Sequence, residues 1–170
     1  MDSAYILIIS SLLCSAFFSA MELAYISANR LRIEVLRNNQ NFQGKILALF
    51  YRKESNMIAF LLLGNNVALV LYGIAAGELL NPMLAQLGLQ DQGLIMVTQT
   101  ILSTLVVLIT AEFLPKAIVQ LNPNKALDLG LIPMLLLYVL LYLPTQLIML
   151  ISSGFLKILG SEKDHNKRVF

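Results

Sequence analysis

The sequence predicts an all-α integral membrane protein with three transmembrane helices, a cytoplasmic helical pair and a juxtamembrane helix. Three observations carry this. Of the 170 residues, 58% are hydrophobic and only 13% charged, against about 25% charged in soluble domains. The mean hydropathy is +0.75. The apolar residues fall into runs of about 20, the length that spans a bilayer. A soluble fold of this size has too little interior to hide so much apolar surface, and a disordered chain would be polar and charged. One cysteine, Cys14, excludes an internal disulfide framework and a thiolate-rich metal site. One histidine, His165, leaves no imidazole cluster. With no Gly-rich phosphate loop, nucleophile elbow or HExxH helix, neither an enzyme nor a nucleic-acid partner is expected.

The first span is expected at about 4–28. It has no basic leader, carries Glu22 and runs into a basic loop, so it reads as a retained helix and not a cleaved signal. The segment 30–56 mixes charges with Leu31, Ile33, Val35, Leu36, Ile46, Leu47, Leu49 and Phe50. It predicts a short helical pair on the membrane surface, split near Asn38–Gly44. The second span is expected at 57–80 and the third at 94–115. The loop between the first two spans holds Arg30, Arg32, Arg37, Lys45, Arg52 and Lys53 against Glu34 and Glu54, which places it in the cytoplasm. The connection Asn81–Gly93 has Asp91 and no Lys or Arg, so it and the N-terminus fall outside, in a multi-pass protein of the cell (inner) membrane.

Parity then bears on the fourth apolar stretch, expected as a juxtamembrane element at 126–159. If it crossed, the basic tail of Lys157, Lys163, Lys167 and Arg168 would lie outside, against the charge bias of short tails. Pro133 and Pro144 interrupt it, each removing a helical hydrogen bond. Helices at the cytoplasmic face, or half-inserted against the bundle, are expected, with a cytoplasmic C-terminus. The competing reading is a kinked fourth span. Residues 161–170, His165 among them, read as a solvated linker.

Polar groups inside spans need partners or a purpose. Ser11, Ser15, Ser19 and Glu22 fall on one face of the first helix. Either they form a packing stripe ending at the membrane rim, or they line an ion pathway. Asn65 and Asn66 follow Gly64 in the second helix. Their amides suit interhelical bonding or a hard cation. Gly73 and Gly77 make a small-residue face suited to close packing or dimerisation. In the third helix Pro115 is expected as a helix break: it cannot bond back to the Ala111 carbonyl, freeing an oxygen beside Glu112. The pair suits Mg²⁺, Ca²⁺ or Na⁺; alternatively, Glu112 pairs with Lys116 at a helix end. All donors sit toward the cytoplasmic side and all are hard oxygens, favouring an alkali or alkaline-earth cation.

At these residues the chain resembles the transmembrane domain of the CorC/cyclin M (CNNM) magnesium transporters, also called hemolysin-like proteins. The matching pieces are Ser15-Ala16-Phe17-Phe18-Ser19-Ala20-Met21-Glu22-Leu23-Ala24, Leu63-Gly64-Asn65-Asn66 and Glu112-Phe113-Leu114-Pro115-Lys116. The resemblance implies a homodimer in the lipid bilayer, each subunit binding a dehydrated Mg²⁺ in an inward-facing acidic pocket. It implies Mg²⁺ efflux coupled to Na⁺ entry. Carried over, the metal ligands are a hydroxyl of Ser15 or Ser19, the Asn65 amide oxygen and a free carbonyl at Ala111. Glu112 and Glu22 supply negative field. The family often has a second Asn where this chain has Leu69, a contact that is lost or replaced by Asn66. Members usually continue into nucleotide-binding CBS modules, so ATP would act only through modules beyond Phe170. The rival from another class is a dimeric membrane anchor or sensor without transport activity.

Overall fold

A computed structural model describes residues 2–38 and 42–158, without the side chains of 2 and 156–158. Every described element is helical. Helix α1 (Asp2–Ser27) leads to two short helices, α2 (Arg30–Asn38) and α3 (Phe42–Arg52). Then come α4 (Glu54–Gln86), α5 (Gln92–Val107), a π-helical segment (Leu108–Phe113), α6 (Leu114–Leu121), α7 (Pro123–Leu140) and α8 (Tyr142–Ile158). Four stretches are long and apolar enough to cross a membrane: Ser3–Ser27, Glu54–Gln86, Gln92–Leu121 and Pro123–Leu140. The expected linker at 161–170 lies outside the described residues.

Local chemistry sets the boundaries. Asn29 caps α2, its side chain accepting from the Arg32 N–H at 3.2 Å. Asp91 caps α5 by accepting from the Gly93 and Leu94 N–H groups at 2.7 and 3.2 Å. Asn122 caps α7 by accepting from Lys125 at 3.1 Å, with Pro123 at the first helical position. Helix α4 runs on through Pro82 and stops only at Gly88. There φ is +94°, and the Gly88 and Leu89 N–H groups bond back to Ala85 and Leu84. A residue with a Cβ would strain that left-handed cap.

Two expectations about proline are corrected. Pro115 does not break the third helix: the rod Gln92–Leu121 passes through it, because the π segment just before shifts the bonding register. Pro133 does not interrupt α7 either. It and Leu129, whose carbonyl loses a partner to it, lie on the exposed face. The chain divides instead at Leu141, and Pro144 sits in the first turn of α8.

Helix α1 is the hub, packing most extensively on α4 and also on α6, α7 and the π segment. It runs antiparallel to α4, from the Ser15–Asn65 hydrogen bond, past the Phe18–Phe60 ring contact, to the Arg30–Glu54 pair. The core lies toward that last end. Phe18, Met21, Phe50, Phe60, Leu127 and Met134 bury there, where α2, α3 and α7 close over the α1 and α4 termini. Tyr138 bridges the rings of Phe50 and Phe60. The Tyr51 hydroxyl donates to the Tyr25 carbonyl at 2.8 Å. Burial, outweighing the opposing pull of the Arg30 charge, pushes the Tyr51 hydroxyl well above its ordinary pKa, so it remains a donor.

Helix α7 climbs back along α1. At the start, the Asn29 N–H donates to the Asn124 side chain at 2.9 Å; further up, Met21 packs on Gly130. Near the end, Leu137, Leu140 and Leu141 share a groove with Ser10, Ser11 and Cys14. Helix α8 then packs on α4, and Leu143–Ser153 form a cleft with Lys53 and Asn56. Arg32 grips Asp128 through two bonds of 3.2 and 2.5 Å. Both side chains are about a third exposed, at 38% and 31%, so screening discounts the pair. Asp128→Asn is expected to lower the thermal unfolding free energy of the detergent-solubilised protein by no more than about 1 kcal/mol. A larger loss would mean that this pair, and not the apolar core, holds α7 in place.

Candidate ion site between three helices

The serine stripe of α1 turns inward. Ser11, Ser15 and Ser19 are all buried, Ser15 and Ser19 with no exposure at all. They are used differently. Ser11 satisfies itself on the Leu7 and Ile8 carbonyls at 2.6 and 3.0 Å. Ser15 donates across to Asn65 Oδ1 of α4 at 2.6 Å. Ser19 Oγ is buried without a hydrogen-bond partner, an unusual state for a hydroxyl in a packed helix interface. Close approach of α1 and α4 is what lets Ser15 reach Asn65, and it depends on Gly64, which faces the Phe18 ring. Asn66 turns the other way: it is exposed, and its amide donates to the Leu62 carbonyl of its own helix at 2.8 Å.

The third wall is the π segment, which packs on α1. The Leu114 N–H bonds to the Ile109 carbonyl, five residues back. In that register the next donor belongs to Pro115, which has none. The carbonyl thereby left over is that of Thr110, one residue earlier than an uninterrupted α-helix would make it. Ala111 is fully buried. Lys116 of α6 places its Nζ 3.8 Å from Glu22 Oε2 of α1. π-Helical turns inside α-helices are rare and concentrate at functional sites.

The expected alternative for Glu112, a pair with Lys116, is corrected. Glu112 lies in the π turn and borders one cleft with Lys116, but Lys116 pairs with Glu22 of α1 instead. Glu112 is half-buried, and neither carboxylate oxygen takes a bond or ion pair among the described residues. It faces two clefts. One, of about 320 Å³, is walled by Leu69, Tyr72, Gly73, Ser103 and Thr104. The other, of about 470 Å³, is shared with Phe113, Lys116 and Gln120. Neither contains Ser15, Ser19 or Asn65. The structure thus joins Ser15 to Asn65, sets Ser19 one turn away, packs the π segment with buried Ala111 against α1, and opens Glu112 to a separate cleft on the α4–α5 side. Glu22 sits one turn below, tied to Lys116. Among the described residues no three Asp, Glu, His or Cys side chains form a metal cluster; what gathers is hydroxyl and amide oxygen.

Gly73 and Gly77 part company. A Cβ on Gly77 would stand 3.0 Å from the Gln99 amide nitrogen, so Gly77 serves the contact of α4 with α5 inside the chain. Gly73 is exposed, with nothing within 4 Å of where its Cβ would be. Two features escaped the sequence: the Tyr72 hydroxyl donating to the Ser103 carbonyl at 3.2 Å, and the buried Gln99 Oε1 left without a partner. Both sit where α4 meets α5. A Tyr and a Gln inside apolar runs were the only trace they left in the sequence.

An all-helical membrane protein with buried hydroxyl and amide oxygens facing a π-helical turn is what the fold and site define. Residues 6–170 match the cyclin M transmembrane N-terminal domain (CNNM), and the chain belongs to that family. It is 33% identical to the UPF0053 inner membrane protein YfjD of Escherichia coli over 111 residues, 65% of this chain and 24% of that protein. It is 25% identical to a UPF0053 protein of Haemophilus influenzae over 169 residues, 99% of this chain and 39% of that protein. The chain therefore spans well under half the length of these relatives.

Proposed function

We propose that the chain is the membrane-embedded part of a Mg²⁺ transporter, with the Ser15–Ser19–Asn65 group receiving the ion. The observation that carries it is the Ser19 hydroxyl, buried and unpartnered one turn from the Ser15–Asn65 bond. A hydroxyl in that state gains by meeting a cation. Mg²⁺ takes six oxygens at about 2.0–2.1 Å, so neighbouring ligands stand about 2.9 Å apart. Ser15 Oγ and Asn65 Oδ1, at 2.6 Å, are already near that spacing. The Thr110 carbonyl offers a further oxygen, and Glu112 supplies the negative field in the adjoining cleft. Asn66, turned to the outside, is left without a part.

The topology that fits has three crossings, with the N-terminus outside and the α2–α3 pair in the cytoplasm. The five basic residues of that pair, with Lys53 just after it, favour it. So does the hairpin of α7 and α8: it enters beside Asn29, climbs along α1 and comes back against Lys53 and Asn56, returning the C-terminus to the cytoplasmic side. Release of the ion requires the π segment to part from α1. Efflux, Na⁺ as coupling ion, and ATP acting through CBS modules outside this chain belong to the same proposal. The open face around Gly73, with Val70 and Ile74 exposed beside it, suits a second copy of the chain. Gly73→Leu is expected to turn the dimer into a monomer without changing the folding of the monomer.

The test is Mg²⁺ flux in reconstituted vesicles together with a Mg²⁺-dependent thermal shift. Ser19→Ala is expected to weaken apparent Mg²⁺ affinity by roughly tenfold, the size of one lost ligand interaction, and to leave stability unchanged, since that hydroxyl makes no hydrogen bond among the described residues. A membrane anchor or sensor would instead show no flux and no Mg²⁺-dependent shift in the unmodified protein.

A further inference from the structure

Where α1 gives way to α2 and α3 joins α4, a cavity of about 410 Å³ opens among Arg30 and Arg37 of α2, Tyr51 and Arg52 of α3, Glu54 and Glu34. Its wall is almost wholly polar, unlike the other clefts. Three guanidiniums converge on it against two carboxylates. Arg30 already spends its fork on Glu54, at 3.1 and 3.3 Å. Arg37 and Arg52 have no ion-pair partner among the described residues. The cavity therefore holds two unspent planar forks, the geometry that matches phosphate oxygens.

We propose that this cavity binds a phosphate group, held by Arg37 and Arg52 with Arg30 as the third cation. A phosphodiester is favoured over a monoester. Glu34, on the same wall and without a partner among the described residues, repels the second negative charge that a monoester carries near neutral pH. Position favours a lipid as the source. The cavity lies at the mouth of two spans, α1 ending at Ser27 and α4 beginning at Glu54, at the level of headgroups. Around it α2 and α3 expose Leu31, Val35 and Leu49, which suit the acyl boundary of a surface-lying helix pair. Basic clusters at such a boundary attract anionic lipid. The lipid source rests on the cytoplasmic placement proposed above; the phosphate chemistry does not.

The experiment titrates the purified chain in neutral detergent with phosphatidylglycerol, with phosphatidylcholine of the same acyl chains, and separately with glycerol phosphate. It reads the thermal midpoint and the lipid retained in native mass spectra. Phosphatidylglycerol is expected to raise the midpoint. The double variant Arg37→Gln, Arg52→Gln is expected to weaken its half-saturation by about tenfold or more. Lys45→Gln, which removes one charge outside the cavity, is expected to leave it within about twofold. Glu34→Gln is expected to let the dianionic glycerol phosphate bind. A response to glycerol phosphate alone in the unmodified chain, lost in the arginine variant, would support the phosphate site and move its source to solution. No midpoint change with either anion, an equal response to phosphatidylcholine, or a response that survives the arginine changes would overturn the proposal. If the double variant fails to fold, Arg37→Lys and Arg52→Lys singly keep the charge and lose the fork, and undiminished binding in both would also overturn it. Vesicle flux and this lipid response are separate readouts, so loss of one leaves the other reading standing.

Discussion

Glu112→Gln is expected to reduce Mg²⁺ flux in reconstituted vesicles by at least about a hundredfold while moving thermal stability by less than about 1 kcal/mol. The two halves of this expectation have separate causes. At an effective dielectric of about 20, a carboxylate about 8 Å from a dication contributes about 4 kcal/mol of attraction before desolvation. Losing two thirds of it is enough for two decades of rate or affinity. The amide keeps the shape of the side chain but not its charge. Stability is spared because Glu112 holds no bond or ion pair that the amide would break. Glu22→Gln separates the roles of the two acids. Its contact with Lys116 is long, at 3.8 Å, and its side chain remains 21% exposed, so the effect on flux is expected to be several-fold smaller. Flux within a factor of two of the unmodified protein in Glu112→Gln, with Mg²⁺ binding retained, would remove the acid from the site.

The long apolar helices were legible because 20-residue apolar runs leave few other solutions, but their ends were not. The second run stops being apolar at Leu80, yet the helix continues to Gln86. Glu78, Asn81 and Pro82 change the polarity of its surface without supplying a stop, and Gly88 supplies it. The start of α7 was written in Asn122-Pro123, a cap followed by the one residue that suits the first turn, and a search guided by hydropathy passes over it. The serine stripe and Asn65 were readable as a face from their spacing. The partner of Lys116 was not, because it depends on how the rod is rotated, and the π turn changes that rotation by one residue. The grip of Arg32 on Asp128, 96 residues apart, leaves no local trace at all.

Gly64→Ala tests the closest approach in the bundle. A Cβ there would overlap three atoms of the Phe18 ring, its outer edge. Packed rings hold that side chain on two sides, although it also borders the groove beside Ser11 and Cys14. It is 2% exposed and meets Phe17 and Phe60 edge to face, at centroid distances of 5.9 and 5.6 Å. Overpacking a rigid aromatic contact costs about 1–3 kcal/mol, and the upper end is expected here because ring and backbone must separate together. The damage should reach the proposed ion site. Asn65 follows Gly64 directly, and Ser15 precedes Phe18 by three residues, so spreading α1 from α4 stretches the 2.6 Å bond between them. Flux is therefore expected to fall along with the thermal midpoint. Gly130→Ala is the internal comparison: its Cβ would meet the thioether of Met21, a flexible chain that can swing aside, and the loss should be smaller. Phe18→Leu in the Gly64→Ala background is expected to restore part of both midpoint and flux, giving a favourable coupling energy of about 1 kcal/mol or more in a double-mutant cycle. If the two changes were simply additive, the glycine would not be there for the ring, and the approach of α1 to α4 would need another cause.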